Sequence, residues 1–356
     1  MSLTVLEVAF PLVPVGEDAV GGSEQVLASI DRHLVEHGHR SIVIACAGSR
    51  VAGRLVELPA PPAELTFGAR EQGSRLVCAA IARVLAEQRV DLIHFHGLDY
   101  ISCLPRGGPP ALVTLHLPLD WYPPGALQPR RPRTWLLPVS ADQASRAPAG
   151  LPLLRPIPNG VRLPRPRPLH RRGFALAMGR ICPEKGFDDA LDACRIAGVP
   201  MLLAGCVFPW REHVEHLERE ILPRLGPGRR WIGSIAGARK RRLLASARCL
   251  LVPSRAAETS CLVAMEAIAA GTPVIAYRAG ALAEVVEHGV TGFLVDDVSA
   301  MAAAIHRVGE IDAQTCRRRA RERFDLEDTL SRYLALYEHL VAVARPGSTH
   351  AREAVT

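Results

Sequence analysis

Two lysines, Lys185 and Lys240, are all that the 356-residue chain contains, aromatic residues make up only 5%, and no two of its nine cysteines are spaced C-x-x-C. Each scarcity excludes something. The cysteines lie mostly in apolar surroundings, so they read as small reduced core residues and neither a disulfide framework nor a zinc site is expected. Basic runs such as RRPR (130–133) and CRRRARERF (316–324) carry little aromatic interleaving and match no reading motif, which argues against a nucleic-acid partner. No window approaches the roughly 20 apolar residues of a membrane span. The N-terminal MSLTVLEVAFPLVPVGEDAV shows no basic n-region and no A-x-A-like cleavage site, so a cytoplasmic protein is expected. A G-x-G-x-x-G loop with an acidic residue about 20 positions on is also missing, which disfavours a nicotinamide cofactor.

What is present is an ordinary globular composition, 48% hydrophobic and 22% charged, in a length that suits two domains. The net charge of +7 suits an anionic ligand, a phosphate-rich substrate or weak peripheral contact with an anionic membrane face; for the last, the helix over 69–88 is the candidate, although its apolar positions fit packing on a sheet equally well. The sequence sets no oligomeric state.

Short apolar runs alternate with helical patterns along both halves. LTVLEVAF, SIVIACA, DLIHFH, ALVTLH and WLLPVS read as strands of the first half, and FALAMGR, PMLLAG, RRWIGS, CLLVPS, TPVIA and GFLVDD as strands of the second. Continuous apolar strands between helices predict α/β architecture with parallel sheets covered on both faces. The stretch 151–173 is dense in proline and arginine and reads as an interdomain linker, and the tail after the helix from Leu326 reads as disordered.

In open α/β sheets the strand-to-helix loops at the carboxyl ends are the place to look for ligands. Three stand out. Gly21 and Gly22 precede a helix starting near Ser23 and permit close approach of an anion to free N–H groups. Arg180 and Lys185, in GRICPEKG, form a two-cation loop entering a helix, suited to a diphosphate. RAAETSCLVAMEAIAAGTPVIA (255–276) places Glu258 before a helix and Glu266 within its apolar run. A buried carboxylate needs a protein partner or a ligand donor, and the spacing leaves both open.

The ordered set GGSE, VTLHLP, PVSADQAS, RPIPNGV, GRICPEKG, WIGS, VPS, E-x7-E, AGTPVIA, GALAEVVEHGVTGFLV and RERF closely resembles retaining nucleotide-sugar glycosyltransferases of family four, over about residues 3–343. The resemblance implies the GT-B fold: two Rossmann-like domains with parallel sheets facing across a cleft and a C-terminal helix crossing back to the first domain. It implies an acceptor-binding domain over 1–155, a linker over 156–172, a nucleotide-sugar donor domain over 173–325, a returning helix over 326–345 and a disordered tail over 346–356.

By position, the resemblance implies that Glu266 takes the ribose hydroxyls, that Glu258 contacts the transferred sugar, and that Arg180 and Lys185 neutralise the diphosphate. It gives Gly21 and Gly22 to the donor loop, Ile235 to the base, Ser260, Cys261 and Leu262 to the donor-binding turn, and His116 to a hydroxyl of the transferred sugar or its proton traffic. His94 and His96 read as packing at a domain edge. Where the family often has E-G-F-G, this chain has Glu258-Thr259-Ser260-Cys261, which replaces two glycines. The implied reaction is metal-independent transfer of a hexose-like sugar, with retention, from a nucleoside-diphosphate sugar to a glycan, lipid-linked or small-molecule hydroxyl. A phosphorylase or sugar-nucleotide epimerase on the same fold, and a non-catalytic glycan-binding scaffold, are the alternatives.

Overall fold

In the computed structural model, residues 2–164 and 172–345 are described. The expected tail, 346–356, and residues 165–171 of the expected linker lie outside them. Among the described residues twelve strands form two six-stranded sheets, and every strand pairing within them is parallel. The first sheet holds β1 (Thr4–Val8), β2 (Arg40–Cys46), β3 (Arg54–Leu58), β4 (Leu92–Phe95), β5 (Ala111–Leu115) and β6 (Thr134–Pro138) in the order β3-β2-β1-β4-β5-β6. The second holds β7 (Ala175–Met178), β8 (Met201–Ala204), β9 (Arg229–Trp231), β10 (Cys249–Val252), β11 (Val274–Tyr277) and β12 (Gly292–Val295) in the order β12-β11-β10-β7-β8-β9. Read from its own first strand, the second order repeats the first. Both are the doubly wound Rossmann arrangement, in which the strand order reverses beside the first strand.

The chain divides into two compact units, one running to Pro158 and resuming at Thr329, the other spanning Asn159–Asp328. The last helix, Leu326–Val343, therefore belongs to the first unit from Thr329 onward. Tyr333 and Tyr337 are fully buried there, and the Thr329 hydroxyl donates to the Pro158 carbonyl at 3.0 Å. Burying an aromatic side chain of this size is worth about 1.5–3 kcal/mol, so two such anchors suffice to seat one helix.

Each unit has its own core, built from the strand runs VLEV, IVIAC and LVTL in the first and ALAM, CLLV and VIA in the second. The helix Phe67–Glu87 buries Val77, Ala80, Ile81 and Val84 in the first core, so packing uses its apolar face. Among the described residues no helix is long and apolar enough to cross a membrane. β3 escapes a reading based on apolar runs because RLVEL mixes charge with apolar residues at an edge, and the basic run CRRRARERF is mostly the helix Ala313–Arg323. Two of its arginines, Arg319 and Arg323, both pair with Glu287.

Candidate functional site

In sheets of this order, ligands bind outside the carboxyl ends at the reversal point, between β1 and β4 in the first unit and between β7 and β10 in the second. Each point carries a carboxylate.

In the second unit, the chain leaves β7 through Gly179 and Arg180 and reaches the short turn Pro183–Lys185. Gly186 closes that turn at φ +61°, and a Cβ there would lie 2.2 Å from the Pro253 carbonyl oxygen, so only glycine lets this loop press on the segment leaving β10. The approach brings Lys185 Nζ to 2.5 Å from Glu258 Oε1. The Ser254 hydroxyl donates to the same oxygen, and the Glu258 carbonyl accepts from the Ala281 N–H at 2.7 Å. Burial alone would raise the Glu258 carboxyl, but Lys185, Ser254 and Arg180 hold it below its ordinary range. Burial likewise opposes the Lys185 charge, and the Glu258 carboxylate more than offsets it. Both groups are therefore ionised at neutral pH. Arg180 sits with its guanidinium carbon 5.6 Å from the centroid of the Phe208 ring.

The helix Leu262–Ala270 begins just beyond this pair. Cys261, at a position where the resemblance has glycine, keeps a left-handed backbone at φ +71°. That conformation costs a non-glycine residue about 1–2 kcal/mol, so the turn geometry is retained against local preference. Burial and the neighbouring Glu258 push the Cys261 thiol up to about 12, which keeps it protonated. The Ser260 hydroxyl is buried with no hydrogen-bond partner among the described residues, a group whose bond a ligand would complete. Glu266 is not enclosed as its apolar setting predicts: its side chain keeps 22% exposure and its Oε1 pairs with Lys240 Nζ at 2.6 Å. The chain's two lysines thus serve the two carboxylates of E-x7-E. Ile235 lies in the irregular segment between β9 and the helix Gly237–Ser246, half-buried against the core.

In the first unit, Gly21 caps the helix Gly22–Glu36, and the Glu24 carboxylate folds back over it, 1.8 Å from where a Cβ would stand. The helix start that the sequence offers to an anion is thus partly covered by the helix's own acidic residue. Glu7 of β1 and His94 of β4 are register partners. Both are fully buried, as is His96. His94 lies in β4, a strand with neighbours on both sides, and His96 just after it. Glu7 Oε2 lies 2.8 Å from His96 Nε2 and 3.1 Å from His94 Nδ1, and Glu7 Oε1 accepts from the Tyr337 hydroxyl at 3.2 Å. Burial would raise the Glu7 carboxyl, yet contacts with His94 and His96 bring it down to about 2. His116, half-buried after β5, places Nε2 2.9 Å from His96 Nδ1 with the rings stacked.

Two triplets among the described residues offer donor atoms within 4.8 Å of one another: Glu7, His94 and His96, and Cys182, Glu184 and His213. In the first, each facing atom already has a hydrogen-bond partner. In the second, burial pushes the Cys182 thiol up to about 12, so a metal would have to displace a tightly held proton. Glu7 and Ser254 are the site residues that reading the sequence missed. A charged residue inside the strand run LTVLEVAF is the signal that marks Glu7.

A family model described as glycosyl transferases group 1 matches residues 173–310, and one described as glycosyltransferase family 4 matches residues 20–163. No curated protein matches the sequence. Among solved structures, the chain is similar to AviGT4, a glycosyltransferase involved in avilamycin A biosynthesis, at 25% identity over 96% of this chain and 99% of that one, with a TM-score of 0.69. It shares its fold with sucrose-phosphate synthase from Thermosynechococcus elongatus (22% identity, 96% and 100% covered, TM-score 0.80). It also shares it with HepE from Anabaena, solved with UDP and glucose (21%, 94% and 99%, TM-score 0.72).

Proposed function

Since the chain belongs to the family 4, group 1 glycosyltransferases and has their two-domain GT-B fold, we propose that it moves a hexose-like sugar from a nucleoside-diphosphate sugar to a hydroxyl of a glycan, lipid-linked or small-molecule acceptor, with retention and without a metal. The observation that carries this reading is the Lys185–Glu258 pair at the reversal point of the second sheet, beside Arg180 and the unsatisfied Ser260 hydroxyl.

The chemistry follows the movement of charge. As the anomeric C–O bond to the diphosphate breaks, negative charge gathers on the leaving phosphate and positive charge on the sugar ring. Arg180 and Lys185 stabilise the phosphate, and each such contact that strengthens as the bond breaks lowers the barrier. Glu258, held ionised by Lys185 and Ser254, accepts from a sugar hydroxyl. Glu266 accepts from the ribose hydroxyls while Lys240 balances its charge, Ser260 completes its bond on the donor, and His116 orients a hydroxyl of the sugar. The acceptor oxygen enters on the face that the phosphate leaves, and its proton passes to that phosphate.

The test is a thermal-shift panel with UDP, GDP, ADP, dTDP and NAD on the wild type and on Glu266→Ala. UDP leads the panel because HepE, of the same fold, is solved with it. Ligand at about 100 times its dissociation constant adds roughly 2.7 kcal/mol. One nucleoside diphosphate should raise the melting temperature, and the variant should lose that rise. Stabilisation by NAD alone, or by none of the five, would overturn the donor assignment; product anomer by NMR then tests retention.

A further inference from the structure

His116 is tied into a chain of buried groups that the transfer reaction as described above does not use. Its Nε2 meets His96 Nδ1 at 2.9 Å, and His96 Nε2 meets Glu7 Oε2 at 2.8 Å. An ionised carboxylate only accepts, so His96 must carry its proton on Nε2. A neutral imidazole then has a lone pair on Nδ1, and the bond to His116 requires His116 to donate from Nε2. The proton of His116 is therefore placed by a residue two hydrogen bonds away.

The surroundings lock this arrangement. Glu7 is bonded on its other side by Tyr337 of the last helix, and His94 bridges Glu7 and Tyr337 to the Thr114 hydroxyl at 2.7 Å. The Tyr333 hydroxyl closes on Thr114 at 3.5 Å. Burial brings His96 down to about 4 and His116 well below the ordinary histidine range, in keeping with neutral rings.

We propose that Glu7 is a positioning residue for the transfer reaction: through His96 it holds His116 as the Nε2–H tautomer, leaving Nδ1 as the nitrogen that accepts. The proposal rests on the reading that His116 handles a sugar hydroxyl, and it assigns Glu7 no contact with substrate. A hydrogen-bond acceptor at position 7 is what matters, so Glu7→Gln, whose amide oxygen can face His96, should preserve the arrangement, whereas Glu7→Met removes the acceptor and frees both rings to change tautomer.

Nitrogen-15 spectra of histidine-labelled protein read this directly and need no substrate. The expected result is His116 protonated on Nε2 in the wild type and in Glu7→Gln, and a mixture of tautomers in Glu7→Met. In Glu7→Met, kcat should fall about 10- to 100-fold with the donor KM unchanged, as for other residues that orient a working histidine. In a His116→Ala background the Glu7→Met change should cost no further rate. Wild-type protein with the His116 proton on Nδ1 overturns the proposal even if no Glu7 variant folds. An unaltered tautomer in Glu7→Met, or an equal rate loss without His116, overturns it as well. Absence of transfer by the wild type with every donor would instead sink the reading on which it rests, and the spectra tell the two failures apart.

Discussion

Glu7 and Glu258 both stand at the reversal point of a six-stranded parallel sheet, but Glu7 is ringed by His94, His96 and Tyr337, whereas Glu258 is held by Lys185 and Ser254. Glu7 is fully buried and its partners can lose or shift a proton without leaving the core. Glu258 keeps 13% exposure and its partner 26%, and that partner carries a full charge through the whole range in which an enzyme works. One topology thus supports two uses of a carboxylate. The first fixes where protons sit, and the second keeps two opposite charges beside a loop where a diphosphate can compete for the cation.

The largest expected effect comes from breaking the second arrangement. Lys185→Met removes the cation proposed for the leaving phosphate and leaves Glu258 without its counter-charge. Loss of one such stabilising contact costs about 10²–10³-fold in kcat. The unpaired, largely buried carboxylate should cost about 1–3 kcal/mol in stability. Transfer assays with melting curves separate the two, and a variant with full rate but reduced stability would make the pair purely structural.

Acid sharpens the comparison next. His96 titrates at about 4 in the folded chain against an ordinary 6.5, so between these values the unfolded chain binds more protons and stability falls as pH falls. At about 1.36 kcal/mol per pKa unit the loss is on the order of 3 kcal/mol. Glu7, at about 2 against 4.5, contributes stability that is present above 4.5 and is lost as pH drops further. In the second unit the Glu258 contribution is likewise lost only below the ordinary carboxylate value, and that of Lys185 only above the ordinary lysine value. Burial of His213 and His216 adds some acid sensitivity there. Amide exchange as pH is lowered from 7 to 4 should release β1, β4 and β5 before β7 and β10, and the reverse order would contradict this account.

The contrast also explains what was legible in the sequence. Glu266 stands out as a charge inside an apolar helix, and the scarcity of lysine singles out Lys185 and Lys240, yet nothing local says that each lysine serves one carboxylate of E-x7-E. Glu7 has the same signature as Glu266. It passes unnoticed because alternation along a strand makes a lone glutamate look solvent-facing, and what encloses it, His94 in β4, His96 just after it and Tyr337 from the last helix, is far away in sequence. The two-residue spacing of His94 and His96 puts both on one face, but which groups stand beside them depends on strand order, which is a long-range property. The alternating pattern, the glycine turns and the loop cations are local, and these were readable.

The smallest effect compares the loops that enter the two sites. Gly186 sits at φ +61° with the Pro253 carbonyl 2.2 Å from any added Cβ, and both the strain and the clash are with backbone that cannot swing away. Gly186→Ala should therefore cost about 1–3 kcal/mol and displace Lys185 from Glu258. Gly21 has an ordinary backbone at φ −83°, and an added Cβ would meet only the end of the Glu24 side chain. That end can rotate, so Gly21→Ala should cost under about 1 kcal/mol, near the ordinary penalty for alanine at a helix N-cap. Melting curves with and without nucleoside diphosphate test both. The first variant should lose the ligand-induced rise along with stability, and the second should keep it; equal losses in the two would mean that the loop after β1 is built as tightly as the loop after β7.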